Sequence, residues 1–217
     1  MVDKNSLALA IDSLKKGNFV VLYDSDKREG EADLIIHASA ITSEKTNYLR
    51  KNAGGSIVLA IGKEIANELE LPFLHDLFRE RGIKNTYIKT NYADTPPYTV
   101  PVNHVKAHTG VTDNDKALAI KEFSKVFSQK TKQDRKDFFD NNFRTPGHLP
   151  ICVSKGIENR RGHTELSIEL AKRANLDGAV VLCEMLSDGF ALPVKDAILF
   201  AKKNNLSFVK GEDIYGK

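Results

Sequence analysis

The sequence predicts a single α/β domain in which helices cover both faces of a β-sheet. Short apolar runs rich in β-branched residues alternate along the chain with segments whose apolar residues recur at helical spacing, and this alternation is typical of the fold class. The 217 residues are 41% hydrophobic and 28% charged, as in an ordinary globular protein. Because we find neither an internal repeat nor a linker, we predict one domain over residues 1–217.

The first third of the chain predicts a regular alternation of helices and strands. Leu7, Ile11 and Leu14 recur at helical spacing, and Gly17 ends that helix. Ser43 is the predicted N-cap of a second helix, which stops before a pair of glycines. Together the patterns predict helices over residues 7–14, 43–49 and 63–69, and strands over 19–22, 34–36 and 56–61.

The rest of the chain continues the alternation less regularly. Thr112, with Asp115 three residues later, resembles a capping box at a helix start, and Thr164 is the predicted N-cap of another helix. Residues 125–142, rich in Lys, Asp and Gln, predict an exposed loop or a short helix. We predict strands over residues 87–88, 98–102, 149–153, 179–183 and 206–209, and helices over 117–127, 164–174 and 193–201.

The most informative stretch is the charged segment between the first two predicted strands. Glu29, Glu31 and Asp33 fall at every second position, so an extended backbone would place the three carboxylates on one face. Like charges side by side repel and raise one another's pKa unless a cation lies among them. Oxygen ligands of this kind favour Mg²⁺ or Mn²⁺. The alternative interpretation is a polar hairpin with a solvated acidic face.

A second cluster, Arg160-Arg161-Gly162-His163-Thr164, precedes a predicted helix. Free N–H groups and the helix dipole favour an anion at a helix start, and arginine holds phosphate with two hydrogen bonds. The cluster therefore predicts a site for a phosphorylated substrate, although a capped helix with surface arginines has the same pattern. His163 is a candidate metal ligand or a part of the helix cap.

Two further residues are candidates for proton transfer. His148 lies in a predicted tight turn just before a strand, where it is either a proton carrier or a turn residue bonded to the backbone. Glu184 follows the apolar residues 179–183, at the predicted carboxyl end of a strand, where ligands of α/β sheets collect. Burial there would raise the pKa of its carboxyl group, as a general base requires, whereas a solvated strand end would leave it unchanged.

Several classes of function are disfavoured. The chain has no Gly-x-Gly-x-x-Gly, P-loop or Gly-x-Ser-x-Gly motif, and basic and aromatic residues are not interleaved as on an RNA-binding surface. The net charge is only +3, and no apolar segment approaches the length of a membrane span. Cys152 and Cys183 lie in apolar runs and are predicted to be reduced, as in a cytoplasmic protein. The residues alone thus indicate metal-assisted chemistry on a phosphorylated small molecule.

Taken together, five motifs resemble those of the 3,4-dihydroxy-2-butanone 4-phosphate synthase family. They are Arg28-Glu29-Gly30-Glu31-Ala32-Asp33, Thr109-Gly110-Val111-Thr112, Pro146-Gly147-His148, Arg161-Gly162-His163-Thr164-Glu165 and Leu182-Cys183-Glu184. The resemblance implies a three-layer α/β sandwich with a mixed sheet that forms a homodimer with active sites at the subunit interface. It also implies a lyase of riboflavin biosynthesis that uses Mg²⁺ to convert ribulose 5-phosphate into 3,4-dihydroxy-2-butanone 4-phosphate and formate.

The resemblance also implies roles for individual residues. Glu29 and His163 would bind the metal ion, and His148 and Glu184 match the two catalytic positions. Asp24, Glu31 and Thr109 would support the pocket. Substrate contacts would come from Arg28, Glu29, Asp33, Arg160, Arg161, Gly162, His163 and Thr164.

The chain departs from the family pattern at Lys116 and Thr145, where arginine is usual. Lys116 keeps the positive charge but loses the bidentate guanidinium geometry, so the local phosphate contacts would differ. Two other functions remain compatible with the motifs. One is a metal-dependent phosphosugar isomerase or aldolase, and the other is a phosphometabolite- or nucleotide-binding protein without turnover.

Overall fold

The computed structural model describes residues 5–90 and 94–216. The strands in this part of the chain are β1 (Val20–Tyr23), β2 (Ala32–His37), β3 (Gly54–Ile61), β4 (Val102–His104), β5 (Phe143–Leu149), β6 (Ile151–Val153), β7 (Ala179–Ser187), β8 (Phe190–Ala191) and β9 (Ser207–Lys210). The helices are α1 (Ser6–Lys15), α2 (Ser43–Asn52), α3 (Lys63–Glu68), α4 (Leu74–Glu80), α5 (Asp113–Ser124), α6 (Lys132–Asn142), α7 (His163–Arg173), α8 (Val194–Lys203) and α9 (Gly211–Tyr215).

A mixed seven-stranded sheet forms the centre of the fold. Its strand order is β6-β3-β7-β2-β1-β9, with β8 paired to β7. The pairs β1–β9 and β3–β6 are parallel, whereas β1–β2, β2–β7 and β3–β7 are antiparallel. β4 and β5 form a separate two-stranded sheet. The prediction of a mixed sheet is confirmed.

Helices cover both faces of this sheet, as predicted. Successive side chains of a strand point to opposite faces, and those of β2 divide in this way between two cores. Leu34 and Ile36 pack in one hydrophobic cluster with residues of α2 and α5, and Ile35 packs in the other with residues of α1 and α7. The architecture is therefore a three-layer α/β sandwich. None of the helices in the described residues is long and apolar enough to span a membrane.

Several helix starts differ from the prediction in their caps. The N-cap of α2 is Thr42 rather than Ser43, and its hydroxyl accepts a hydrogen bond from the backbone N–H of Lys45. Thr112 caps α5 as predicted, but Asp115 does not complete a capping box. Its carboxylate instead accepts backbone hydrogen bonds from the loop residues 108–110. Side-chain capping thus follows the predicted residue type but not always the predicted position.

The middle of the chain differs most from the prediction. Residues 84–87 form a 3₁₀ turn rather than a strand at 87–88, and the strand predicted over 98–102 begins only at Val102. Tyr98 makes a single bridge to Cys152 in its place. Residues 125–142 are more ordered than expected, because a 3₁₀ turn is followed by α6, whose start has a capping box of Thr131 and Asp134. The short helices α4 and α9 were not predicted.

Gly147 lies where β5 approaches β4 too closely for a side chain. A Cβ atom added to it would lie 1.9 Å from the carbonyl carbon of Val102. We expect Gly147→Ala to lower the free energy of unfolding by about 2–4 kcal/mol, since the two strands would have to separate. Denaturant titration measures the change. Gly178→Ala is the matched control, because its new Cβ would meet its nearest neighbour at an ordinary 3.5 Å, and an equal loss in both variants would contradict the prediction.

Candidate active site

Seven of the predicted site residues line a cavity of about 440 Å³ beside the central sheet. The three carboxylates of the charged segment line it: Glu29 and Glu31 from the loop that joins β1 to β2, and Asp33 from β2 itself. The other predicted residues that line it are Arg160, His163, Thr164 and Glu184. The solvated hairpin with an exposed acidic face is therefore not what forms.

Asp24 gives the charged loop its shape. Its carboxylate accepts hydrogen bonds from the backbone N–H groups of Glu29 and Glu31, both at 3.0 Å, and lies 3.2 Å from the guanidinium of Arg28. Its side chain is fully buried. Gly30 has a φ of +70°, a left-handed conformation that glycine adopts without strain. The loop thus turns around one buried carboxylate and presents the next ones to the cavity.

His163 is the first residue of α7 and meets this loop. Its Nδ1 atom lies 3.3 Å from the Glu29 carboxylate, and its Nε2 atom lies 3.1 Å from the carbonyl oxygen of Glu31 and 3.8 Å from Asp33. Burial alone would lower its pKa, but the charge of Asp33 and the hydrogen bond to Glu29 raise it to about 9. A protonated imidazole thus balances the acidic loop at neutral pH.

Asp24, Glu29 and His163 offer ligand atoms that all lie within 4.8 Å of one another. Atoms this close could together hold one divalent cation. The carboxylates are the hard oxygen ligands that Mg²⁺ and Mn²⁺ prefer. The sequence predicts that Glu29 and His163 bind one metal ion, and the two side chains do lie close together. Asp24, which was expected only to support the pocket, also offers a ligand atom.

A second set of acidic groups lies deeper in the cavity. Asp33 on β2 and Glu184 on β7 face each other in register, so Glu184 lies within its strand and not at the strand's carboxyl end as predicted. Burial and the neighbouring carboxylates raise the pKa of Glu184, and burial together with Glu184 and Glu29 raises that of Glu31 to about 7. Asp33, also buried, has its pKa raised to about 6. Glu31 and Asp33 can therefore exchange protons near neutral pH, and Glu184 keeps its proton to higher pH than an ordinary glutamate does.

Arginines border the acidic groups on one side. Arg28 pairs with Glu29 at 2.6 Å, and Arg160 pairs with Glu165 at 2.5 Å. Gly162, rather than Thr164, is the N-cap of α7, and its N–H donates to the Glu165 carboxylate. A Cβ atom on Gly162 would lie 2.3 Å from the Arg160 guanidinium and 2.8 Å from that of Arg28. A glycine at this position therefore lets both guanidinium groups approach the start of α7.

Arg161 is not brought into the cavity. Its guanidinium lies 4.3 Å from the ring centre of Tyr215, near the end of α9, and the residue is exposed. This contact is a cation–π interaction between the loop and the last described helix. Of the two neighbouring arginines, only Arg160 faces the acidic groups.

His148 is also outside the cavity. It lies in strand β5, not in a turn, and is exposed. The Asn103 side chain binds both the ring and the backbone of His148. Its amide N–H donates to Nδ1 at 3.1 Å, and its oxygen accepts from the His148 backbone N–H at 2.8 Å. Nδ1 is thereby the acceptor and Nε2 carries the proton. Lys116 donates to the His148 carbonyl oxygen at 2.7 Å. One chain alone does not bring His148 and Glu184 together.

Sequence reasoning missed one wall of the cavity. Pro96, Pro97 and Tyr98 line it, and Asp94 pairs with Arg160 just outside. No periodicity or motif marks this segment, apart from the paired prolines that exclude a regular strand. Cys152, predicted as a core residue, also lines the cavity.

Both thiols are expected to resist modification in the native protein. Burial raises the pKa of Cys152 and of Cys183 to about 12 in each case, with only partial opposition from Arg160 at Cys152. The reactive thiolate is therefore scarce up to pH 9. We expect a disulfide exchange reagent at pH 8 to label neither residue in the native protein and both after unfolding. If one thiol does react, the Cys152→Ser variant shows which cysteine it is. Fast labelling of Cys152 in the native protein would contradict the prediction of a low thiolate content.

The fold and the cavity define an enzyme class: an α/β sandwich whose acidic cavity suits a divalent cation and whose bordering arginines suit an anionic substrate. Residues 8–216 match the family model described as 3,4-dihydroxy-2-butanone 4-phosphate synthase. The chain therefore belongs to that family, whose members are enzymes of the lyase class.

Individual relatives agree with this assignment. A synthase of that name from Methanosarcina acetivorans is 35% identical over 94% of this chain and 87% of its own. The crystal structure of a two-domain synthase from A. baumannii has a TM-score of 0.77 at 25% identity and covers 95% of this chain and 56% of that one. A synthase crystallised in complex with two magnesium ions has a TM-score of 0.75 at 27% identity, over 95% of this chain and 93% of that one.

Proposed function

We propose that this protein converts ribulose 5-phosphate into 3,4-dihydroxy-2-butanone 4-phosphate and formate, a step of riboflavin biosynthesis. The observation that carries the proposal is the meeting of His163 and Glu29, 3.3 Å apart, beside carboxyl groups of raised pKa and two arginines. A cation site, proton-transfer groups and anion-binding groups in one cavity are what the reaction requires. As part of the same proposal, the enzyme acts in the cytoplasm and binds neither nucleic acid nor a membrane.

Glu29 and His163, with Asp24 close by, are the residues that would hold Mg²⁺, or Mn²⁺ in its place. The ion would supply Lewis-acid stabilisation of the negative charge that develops on substrate oxygens when a C–H proton is removed. His163 has to lose its proton before it can bind a cation. Asp33 and Arg28 then flank the sugar, and the carbonyl oxygen of Glu31, 3.1 Å from Nε2, keeps the imidazole oriented.

The phosphate of the substrate would lie at the start of α7. Gly162 is its N-cap and Thr164 lies in its first turn, where backbone N–H groups and the helix dipole favour an anion. Arg160 adds a guanidinium whose side chain is only 9% exposed, so its charge is poorly screened by water. Arg161 would contribute from outside the cavity, by holding the loop against Tyr215.

Glu184 and His148 are the proposed proton-transfer residues, and two copies of the chain are needed to combine them. His148 lies near basic side chains, Lys116, which donates to its carbonyl oxygen, and Arg144 on the same strand, and these are opposite in charge to the acidic cavity. Val105 and Val111 on the same part of the fold are 43% and 56% exposed. Apolar residues of a subunit interface are often exposed in this way when the partner is absent. We therefore place His148 of one subunit in the cavity of the other, which makes the enzyme a homodimer with shared active sites.

Formate measurement tests this function. The protein is incubated with ribulose 5-phosphate and Mg²⁺, and formate is assayed with a formate dehydrogenase. We expect formate to appear, and the activity to be lost with chelator and restored by Mg²⁺ or Mn²⁺. An isomerase or aldolase would consume the sugar without releasing formate, and a binding protein would leave it unchanged, so either result would refute the proposal.

A further inference from the structure

Asp94 lies against the two arginines that border the cavity. Its Oδ2 atom accepts from Nε of Arg160 in a short ion pair and lies 3.5 Å from Nη2 of Arg28. The guanidinium side chains are 9% and 12% exposed, so a carboxylate shared by both lies in a poorly hydrated place. One oxygen atom between two guanidinium groups is an arrangement that a phosphate oxygen also adopts.

Four carboxylates of the described residues lie on these arginines, and Asp94 is the least fixed of them. Asp24 and Glu165 have no side-chain exposure, and backbone N–H groups hold each of them. Glu29 is 19% exposed and also lies 3.3 Å from Nδ1 of His163. Asp94 is 22% exposed, and the backbone hydrogen bond to its carboxylate comes from its neighbour Thr95. Asp94 is thus the carboxylate that can leave the arginines with the least disruption.

Asp94 and a phosphate would compete for the same two guanidinium groups. The Asp94 Oδ2 atom lies between Arg160 and Arg28, where a phosphate oxygen would have to bind. A phosphate beside the Asp94 carboxylate would be repelled by it in a site where water screens little. Phosphate therefore binds well only if the Asp94 carboxylate moves away.

We propose that Asp94 is an internal anion that holds Arg28 and Arg160 in position and is displaced by the phosphate of the substrate when it binds. Asp94 is then a positioning residue that lowers the affinity for phosphate, because each ligand must replace an ion pair that the free protein has already formed. The inference rests on the proposed function only in taking a phosphate group as the anion that reaches these arginines.

Removing the charge of Asp94 tests the proposal with inorganic phosphate as the probe. We expect Asp94→Asn to bind phosphate about tenfold more tightly than the unaltered chain in calorimetric titrations at fixed ionic strength. In the formate assay, phosphate should inhibit the variant at about tenfold lower concentration, and KM for ribulose 5-phosphate should fall more than kcat changes.

The sign of the change separates this role from a purely structural one. If Asp94 only scaffolds the arginines, its loss leaves them poorly oriented, and phosphate binding weakens or stays the same; either result overturns the proposal. Asp94→Glu keeps the charge and is expected to stay within about twofold of the unaltered chain, whereas a gain equal to that of Asp94→Asn would also overturn it. Asp94→Ser repeats the test if the Asn variant does not fold.

Asp12→Asn is the matched control, because Asp12 forms an exposed ion pair with Lys16 on α1. It should leave phosphate affinity unchanged, and a gain there as well would mean that overall charge, not Asp94, is responsible. The binding measurement also separates this inference from the proposed reaction. If Asp94→Asn binds phosphate more tightly but the protein releases no formate, the role of Asp94 is supported and the proposed reaction is refuted.

Discussion

Glu184→Gln is expected to lower kcat for formate release by about 10²- to 10⁴-fold, the usual contribution of a positioned acid or base. Glu184 lies in register with Asp33 across β2 and β7, and its pKa is raised by burial and by that neighbour. Its carboxyl group therefore keeps a proton to higher pH than an ordinary glutamate does. An amide has nearly the same size but cannot take up a proton, so the loss should fall on kcat.

We expect the amide to leave the site intact. Glu184 and Glu31 share a hydrogen bond, which an amide N–H can replace. Substrate affinity should change little, because the arginines that meet the anion lie elsewhere in the cavity. Glu80→Gln, an exposed change at the end of α4, is the control and should keep full activity. Near-normal formate release by both Glu184→Gln and His148→Asn would show that the proton-transfer residues are wrongly assigned.

The sequence predicted those parts of the site that depend on local pattern. Carboxylates at alternate positions between two apolar strands, such as Glu31 and Asp33, do line one cavity. A glycine and a histidine before an amphipathic segment do mark the start of α7. In each case residues close in the chain determine the geometry, so their order carries the information.

Features that depend on distant contacts could not be predicted in this way. Asp94 reaches Arg160 across 66 positions of the chain, and nothing in its own neighbours indicates the pairing. Glu184 looked like a strand end because a charge followed five apolar residues, yet pairing with β2 and β3 extends the strand through it. Gly162 replaced Thr164 as the N-cap because Glu165 reaches back to its N–H. Tertiary contacts, not local preference, decided all of these.

Mixing two inactive variants should restore activity if His148 acts on the cavity of a partner subunit. His148→Asn and Glu184→Gln are each expected to be nearly inactive. In a mixed dimer, the Glu184 of the first chain and the His148 of the second are both unaltered and would meet in one of the two sites. Random reassociation makes half of the dimers mixed, so the recovered activity should be about a quarter of that of the unaltered protein.

The same mixture distinguishes the alternative in which both residues serve one subunit. In that case each chain of a mixed dimer lacks one of the two groups, and the activity remains at the level of the separate variants. The chain carrying both substitutions, mixed with unaltered protein, is the control for reassociation, since it forms mixed dimers with no complete shared site. Formate release is measured after co-refolding at equal concentrations. The exposed position of His148, with Nε2 protonated and directed away from Asn103, leads us to expect recovery.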